Sequence, residues 1–110
     1  MATSQGTIDH LLDRLAAGGI EAAARKMFGE YGVYLDGRMA ALVCDGTLYM
    51  KRTASGVALL GAAEEACPYP GAKPLPMVDA DRWDESEWLA ELFRVTAAEL
   101  PAPKPTKRKA

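Results

Sequence analysis

The amino-acid sequence predicts a single α+β domain. The expected order is a helix, a three-stranded antiparallel meander, a second helix, one or two further strands and a C-terminal helix. Three observations support this order. Apolar residues recur with helical spacing near both ends of the chain, three apolar runs occupy the middle, and two Asp-Gly pairs separate those runs. A chain of 110 residues has the length of one domain.

The first predicted helix covers residues 8–16. Its apolar face follows the spacing i, i+3, i+4, i+7 and i+8, at Ile8, Leu11, Leu12, Leu15 and Ala16. The pair Gly18-Gly19 is expected to end the helix, because glycine readily adopts the left-handed backbone of a helix C-terminus. The next residues, 20–26, favour helix by propensity, and a helical turn leading into the sheet is expected there.

The meander is predicted from its turns. Asp36-Gly37 and Asp45-Gly46 each suit a type I′ turn, in which both central residues have positive φ. Before the first turn, Tyr31, Val33 and Leu35 should share one face of a strand, with Glu30 and Tyr34 on the other. Gly29 and Gly32 suggest a bulge or a close backbone approach in this strand.

The other two strands of the meander differ in their patterns. The second predicted strand, residues 39–44, is apolar on both faces, as expected of a central strand. The third, residues 48–51, alternates Leu48 and Met50 with Tyr49 and Lys51.

The C-terminal half contains a weaker and a stronger helix signal. Residues 53–66 are predicted to form a helix that stops at Pro68, followed by a turn-rich stretch and an edge strand at Leu75–Val78. The last helix should begin at a capping box made by Asp84 and Glu87 and end at Pro101. Its apolar stripe comprises Trp88, Leu89, Leu92, Phe93, Thr96 and Leu100.

Charge is distributed unevenly along the chain. Thirteen Lys and Arg face fifteen Asp and Glu, a net charge of −2. The stretch 101–110 contains four cations and no acid: Lys104, Lys107, Arg108 and Lys109. Without them, nine basic residues face fifteen acidic ones, a net charge of −6. We therefore expect a domain at 1–100 with no broad nucleic-acid surface, and a disordered basic tail at 101–110 that could contact a polyanion.

The composition also indicates the compartment. No apolar run approaches the ~20 residues of a membrane helix, and the N-terminus lacks the pattern of a secretory signal. A cytoplasmic protein with no membrane association is therefore expected. Two cysteines, Cys44 in an apolar run and Cys67 in a predicted loop, are expected to be free thiols.

No pattern in the sequence predicts a catalytic, cofactor or metal site. His10 is the only histidine, and it lies off the apolar face of its helix. The acids Asp79, Asp81, Asp84 and Glu85 do not have the spacing of a calcium loop and instead suit a helix N-terminus. The aromatic residues Phe28, Tyr31, Tyr34 and Tyr49 resemble a stacking platform for single-stranded nucleic acid, but nearby acids favour packing within the sheet.

The stretch 25–53, RKMFGEYGVYLDGRMAALVCDGTLYMKRT, resembles the TfoX/Sxy N-terminal domain family. Met27-Phe28-Gly29, Tyr31-Gly32, both Asp-Gly turns and Leu48-Tyr49 with Lys51 carry the resemblance. PYPGAKP at 68–74 and the helix at 88–100 extend it. It implies a secretion-chaperone-like α+β fold and no catalytic residues. Longer members regulate bacterial competence genes and have a second, helical domain, whereas this chain has a basic tail.

The resemblance and the absence of reactive clusters predict a non-enzymatic bacterial regulatory or adaptor domain that acts through protein contacts. A homodimer is expected, because a small sheet with proline-blunted edges often completes itself by pairing with a second copy. The alternative is a nucleic-acid-associated transcription regulator that uses Lys104, Lys107, Arg108 and Lys109. A small-ligand pocket beside Tyr31, Tyr34 and Tyr49 is the least favoured interpretation.

Overall fold

The computed structural model describes residues 4–27, 30–61 and 63–100 and confirms the α+β class. Its elements are α1 (Gln5–Ala17), β1 (Ala23–Met27), β2 (Glu30–Leu35), β3 (Arg38–Cys44), β4 (Thr47–Met50), α2 (Ala54–Leu60), β5 (Glu65–Ala66), β6 (Leu75–Val78) and α3 (Ser86–Glu99). A 3₁₀ turn, Ala80–Asp84, precedes α3.

The strands form one six-stranded antiparallel sheet in the order β1-β2-β3-β4-β6-β5. The predicted meander is confirmed as β2, β3 and β4. Asp36 and Gly37 have φ of 54° and 79°, and Asp45 and Gly46 have φ of 53° and 76°. All four residues are therefore left-handed, as a type I′ hairpin requires.

The first helix begins and ends at recognisable signals. Ser4 is the N-cap, and its side chain accepts a hydrogen bond from the Thr7 amide at 3.2 Å. At the other end Gly19 has φ of 101°, which confirms the predicted stop. Ile8, Leu11 and Leu15 are buried, whereas Leu12 is half-buried and Ala16 is exposed, so the apolar face is narrower than predicted.

The helical turn predicted at residues 20–26 is wrong. Ala23–Met27 form β1, which pairs antiparallel with β2 from Ala23–Tyr34 to Met27–Glu30. Helix propensity here amounts to a few tenths of a kcal/mol per residue. Five residues are too few to form a stable helix alone, so the backbone pairing offered by β2 decides the conformation.

The region between β4 and the last helix also differs from the prediction. The second helix ends at Gly61, which has φ of 74°, and not at Pro68. Residues Glu65–Ala66, which the sequence placed in this helix, form β5, the second of the one or two further strands expected. The predicted strand Leu75–Val78 is confirmed as β6, but it is not at the edge, because it lies between β4 and β5.

The last helix begins later than its predicted capping box. Asp84 belongs to the 3₁₀ turn, and Glu85 is the N-cap of α3 without a side-chain hydrogen bond to the helix. The predicted stripe is largely confirmed, with Leu89, Leu92, Phe93 and Thr96 buried. Trp88 and Leu100 lie half-buried at its margins. The predicted stop at Pro101 lies outside the described residues.

The helices contribute to one core on one face of the sheet. The strands supply this helix-side core with alternate residues, namely Tyr31, Val33, Leu35, Ala41, Val43, Leu48, Met50 and Val78. Phe93 on α3 is the largest side chain with less than 2% of its surface exposed. A second, smaller apolar cluster on the outer face of the sheet contains Leu42, Cys44 and Tyr49, bordered by Met39, Ala66, Leu75 and Met77.

A bulge interrupts the pairing of β2 with β3. Val33 pairs with Ala41 but Tyr34 pairs with Met39, so Ala40 is the extra residue. The bulge therefore lies next to Gly32 and not at it. Beyond the bulge, Arg38 reaches the helix side, where its Nη1 donates to the carbonyl oxygen of Ala97 at 3.0 Å.

Candidate functional site

The most developed concavity with apolar walls lies on the outer face of the sheet. We call it the outer groove, and seven residues line it: Glu30, Tyr31, Met39, Leu42, Cys44, Lys51 and Tyr69. Its volume is about 360 Å³. Leu42 and Cys44 project from the central strand β3 because their neighbours Ala41 and Val43 face the helices. Opposite Leu42 on β2 stands Gly32, which has no side chain to cover it.

Tyr69 reaches the groove from the proline-rich segment between β5 and β6. The carbonyl oxygen of Tyr69 accepts the Ala72 amide at 3.1 Å, and Gly71 has φ of 88°. With Pro70 before that glycine, the segment has the features of a type II turn. Tyr69 remains 55% exposed, so one face of its ring contributes to the groove while much of the side chain faces solvent.

Arg52 holds both ends of this segment. Its guanidinium donates to the two carboxylate oxygens of Glu65 at 2.6 and 2.7 Å, and to the carbonyl oxygen of Pro74 at 3.0 Å. Glu65 lies on β5 before the segment, and Pro74 is the last residue before β6. One side chain, two residues after β4, thus connects the end of the meander with the entry and the exit of the loop that carries Tyr69.

Two titratable groups on the outer face of the sheet, the Cys44 thiol and the Tyr49 phenol, have raised pKa values. Burial raises the pKa of the Cys44 thiol, and the nearby Glu30 carboxylate raises it further. Burial also raises the pKa of the Tyr49 phenol. Both groups are therefore uncharged at neutral pH, and Cys44 does not have the lowered pKa of a nucleophilic cysteine. Cys44 and Cys67 are free thiols, as predicted.

The charged residues of the groove lie at opposite ends. Lys51 follows β4, and its amide donates to the Ala40 carbonyl oxygen at 2.9 Å. Glu30 begins β2, and its carboxylate accepts the Asp45 amide at 3.2 Å. Among the residues that the structure describes, no carboxylate lies within ion-pair distance of the Lys51 ammonium. The groove therefore has a positive charge at its Lys51 end and a carboxylate at its Glu30 end.

The two edges of the sheet differ. At one edge, β5 has two residues and is attached through Glu65 to Arg52. At the other edge, β1 has five residues and, among the described strands, pairs with β2 alone. Ala23, Arg25 and Lys26 are exposed, and the guanidinium of Arg25 lies 5.7 Å from the Tyr34 ring centroid. We call the outward side of Ala23–Met27 the β1 edge.

The structure separates the aromatic residues that the sequence grouped together. Tyr31 faces the helices, and its hydroxyl donates to Gln5 Oε1 at 3.1 Å. Tyr34 on β2 and Tyr49 on β4 lie on the outer face of the sheet. Phe28 lies outside the described residues. Packing within the sheet, the favoured prediction, is confirmed for Tyr31 and Tyr49, since both are buried in apolar clusters.

The remaining candidate residues do not come together as a reactive site. His10 is exposed, and its ring stacks on Trp83 with centroids 6.1 Å apart. Within residues 4–27, 30–61 and 63–100, no three His, Cys, Asp or Glu side chains are placed to hold a metal ion. None of the helices in those ranges has the length and apolarity to cross a membrane. The predicted nucleic-acid contacts, Lys104, Lys107, Arg108 and Lys109, lie outside the described residues.

A sequence match identifies the family. Residues 13–100 match the family model of the TfoX N-terminal domain. The match begins within α1 and ends at Leu100, the residue after α3. The chain belongs to the TfoX N-terminal domain family. This TfoX-type domain is also similar to an uncharacterized 12.7 kDa protein in the trpE 5′ region of Spirochaeta aurantia. The two are 38% identical over 109 residues, which cover 99% of this chain and 93% of that protein.

Proposed function

We propose that this TfoX-type domain is a non-enzymatic regulatory or adaptor domain that binds a partner protein through the β1 edge. The observation that supports this proposal is the asymmetry of the sheet, in which the edge strand β1 has five residues while β5 at the opposite edge has two. An exposed edge strand presents unpaired backbone N–H and C=O groups, which form a ladder with an added strand.

The charge of the β1 edge favours one kind of partner. Arg25 and Lys26 are both exposed, and no carboxylate among the described residues forms an ion pair with either. Opposite charges on adjacent strands contribute about 0.2–1 kcal/mol, and like charges cost a similar amount. An extended segment that carries Asp or Glu therefore fits this edge better than a second copy of the same strand.

The proposal is tested with labelled peptides of alternating valine and glutamate, with alternating valine and lysine as the matched control. The acidic peptide should bind, and hydrogen exchange of the β1 amides should slow in the complex. The double variant Arg25→Glu, Lys26→Glu should bind about tenfold more weakly or worse, since two charge contacts become repulsive. Lys73→Glu, on an exposed loop residue, should bind normally. Binding that leaves the β1 amides unprotected would contradict the proposal.

The same variants test whether the β1 edge binds proteins in bacterial cells. Proteins captured from bacterial cells by the wild-type chain and by Lys73→Glu, but lost from the double variant, would be partners that depend on the edge. The competence regulation of longer family members predicts transcription components among them. The homodimer expected from the sequence stays a separate prediction, which the charge of the β1 edge does not favour at this strand. Light scattering at high protein concentration tests it, and a monomer would contradict it.

The alternative function uses the basic tail. Lys104, Lys107, Arg108 and Lys109 would contact about four phosphates, which predicts a slope near −3.6 for log K against log salt. DNA binding by the full chain and by a chain that ends at Leu100 should then differ at low salt and converge as salt rises. Equal binding by the two chains at every salt concentration would exclude this role of the tail.

A further inference from the structure

The outer groove has the properties of a small-molecule pocket as well as of a sheet surface. Its volume of about 360 Å³ falls within the range of about 300–1,000 Å³ typical of ligand sites. Its walls are mainly apolar, with Met39, Leu42 and Cys44 on β3 and the ring of Tyr69 above them. Leu42 and Cys44 are 8% and 4% exposed, so the bottom of the groove is well enclosed.

The charged ends of the groove indicate the ligand's polarity. Lys51 lies opposite Ala40, and Glu30 lies near Cys44 at the other end. Ala40 and Cys44 are four residues apart along β3, which corresponds to a distance of about 13 Å. The ammonium of Lys51 has no carboxylate partner among the described residues, whereas Glu30 already accepts the Asp45 amide. A ligand anion is therefore attracted at the Lys51 end and repelled at the Glu30 end.

We propose that the outer groove binds a small monocarboxylic acid with an apolar chain. The carboxylate contacts the ammonium of Lys51, and the chain lies over Leu42 and Cys44 beneath Tyr69. A neutral or cationic ligand of the same length lacks the contact with Lys51. A dicarboxylate places its second charge near Glu30. The order of affinities expected from the charges is thus monocarboxylate above amine, and monocarboxylate above dicarboxylate.

Three eight-carbon probes test this order: octanoate, octylamine and octanedioate. Titration of the full chain, followed by backbone amide shifts in NMR, should show octanoate perturbing the amides of Met39, Leu42 and Cys44. The other two probes should bind at least fivefold more weakly, because one charge contact is worth about 1 kcal/mol. Octylamine binding as tightly as octanoate, or no octanoate binding at millimolar concentration, would overturn the proposal.

Substitutions distinguish octanoate binding in the outer groove from binding at other surfaces. Lys51→Met keeps the aliphatic stem and removes the charge, and it should weaken octanoate about fivefold. The exposed Lys73→Met serves as the matched control and should bind normally. In a Cys67→Ser background, bound octanoate should slow alkylation of Cys44, the remaining thiol. Unchanged affinity in Lys51→Met, or unchanged alkylation of Cys44 at saturating octanoate, would show that the acid binds elsewhere and would overturn the assignment.

The ligand test is independent of the β1 edge. Neither Arg25 nor Lys26 lines the outer groove, so the double variant at the edge should bind octanoate as the wild type does. Loss of octanoate binding in that double variant, with the fold intact by circular dichroism, would place the acid at the β1 edge and overturn the groove proposal.

Discussion

Arg52 and Glu65 form a bidentate ion pair, with Nη1 to Oε2 at 2.6 Å and Nη2 to Oε1 at 2.7 Å. The same guanidinium donates to the Pro74 carbonyl oxygen at 3.0 Å. These contacts connect the two ends of the loop that carries Tyr69, although Arg52 itself is exposed. The pair therefore matters more for the position of the loop than for global stability, because exposed ion pairs contribute little to unfolding free energy.

Arg52→Ala should loosen the 67–74 loop without unfolding the domain. Hydrogen exchange measured by mass spectrometry should quicken in that loop and stay unchanged in α1 and α3. Arg52→Lys is the matched control, because lysine keeps the charge but cannot form the two-pronged contact. It should give an intermediate rate. If the loop of Arg52→Ala exchanges as slowly as in the wild type, other contacts hold the segment.

Glu99 should make stability depend on acid pH. Its carboxylate accepts the Ser55 amide at 2.9 Å and the Ser55 hydroxyl at 2.7 Å. These bonds, the amide first, lower the pKa of Glu99. Since the pKa is lower in the folded state, the contribution to stability is present above the ordinary glutamate pKa of about 4.3 and is lost as pH falls through the folded value.

Urea unfolding between about pH 6 and pH 3 measures this effect. Glu99→Gln should be less stable than the wild type at the upper end, and the difference should shrink as pH falls. Glu87→Gln, at an exposed position at the start of the same helix, is the control. A difference between Glu99→Gln and the wild type that stays constant over the whole range would contradict a role of the carboxylate charge. Glu65, whose pKa is lowered by Arg52, should contribute to the slope in the same direction.

Substitution by alanine should have opposite effects on stability at Gly6, within α1, and at Gly18, the C-cap of that helix. At Gly18 a Cβ would clash with the Ser86 carbonyl oxygen and lie 2.7 Å from the Ala90 Cβ. Gly18→Ala should therefore cost about 1–3 kcal/mol. At Gly6 the nearest atom would be 4.0 Å away, and Gly6→Ala should stabilise by about 0.4–1 kcal/mol. Thermal unfolding of both variants measures the contrast, and a Gly18→Ala as stable as the wild type would show that α1 and α3 can separate freely.

Thr96 should tolerate the loss of its hydroxyl. The residue is fully buried on α3, and Oγ1 has no hydrogen-bond partner among the described residues. A buried polar group without a partner costs about 1–3 kcal/mol. Thr96→Val, which replaces the hydroxyl with a methyl group of similar size, should therefore raise the unfolding free energy by about 1 kcal/mol. Thr96→Ser keeps the hydroxyl and removes the methyl group, so it should not stabilise. A destabilised Thr96→Val would indicate a water bound to Oγ1.

Features that depend on residues close together in the sequence were predicted correctly, whereas features that depend on distant residues were missed. The turns at Asp36-Gly37 and Asp45-Gly46 depend on the φ angles of adjacent residues, so they were predicted correctly. The strand at Ala23–Met27 was missed because its pairing partner, rather than its own residues, stabilises it. The same reason explains β5, whose pairing with β6 spans a loop.

The candidate site was predicted less well than the fold. The sequence grouped Tyr31 with Tyr34 and Tyr49, but alternation along β2 turns Tyr31 toward the helices. Tyr69 was seen only as part of a turn-rich stretch, and nothing local indicates that it reaches β3. Two features of the sequence could have identified the groove. One is Gly32, which has no side chain to cover its neighbour on β3, and the other is the pair of apolar residues Leu42 and Cys44 on the outer face of that strand.

The sequence by itself determined the order of the main elements, the hairpin turns of the meander and which faces of the first and last helices are buried, because all of these depend on residues a few positions apart. Only the tertiary structure decided which strands form the edges and what lies over the outer face of the sheet. Those features depend on contacts between residues distant along the chain, such as Arg52 with Pro74. The β1 edge and the outer groove both arise from such contacts, and for that reason the surfaces proposed to bind partners are the ones that local pattern did not reveal.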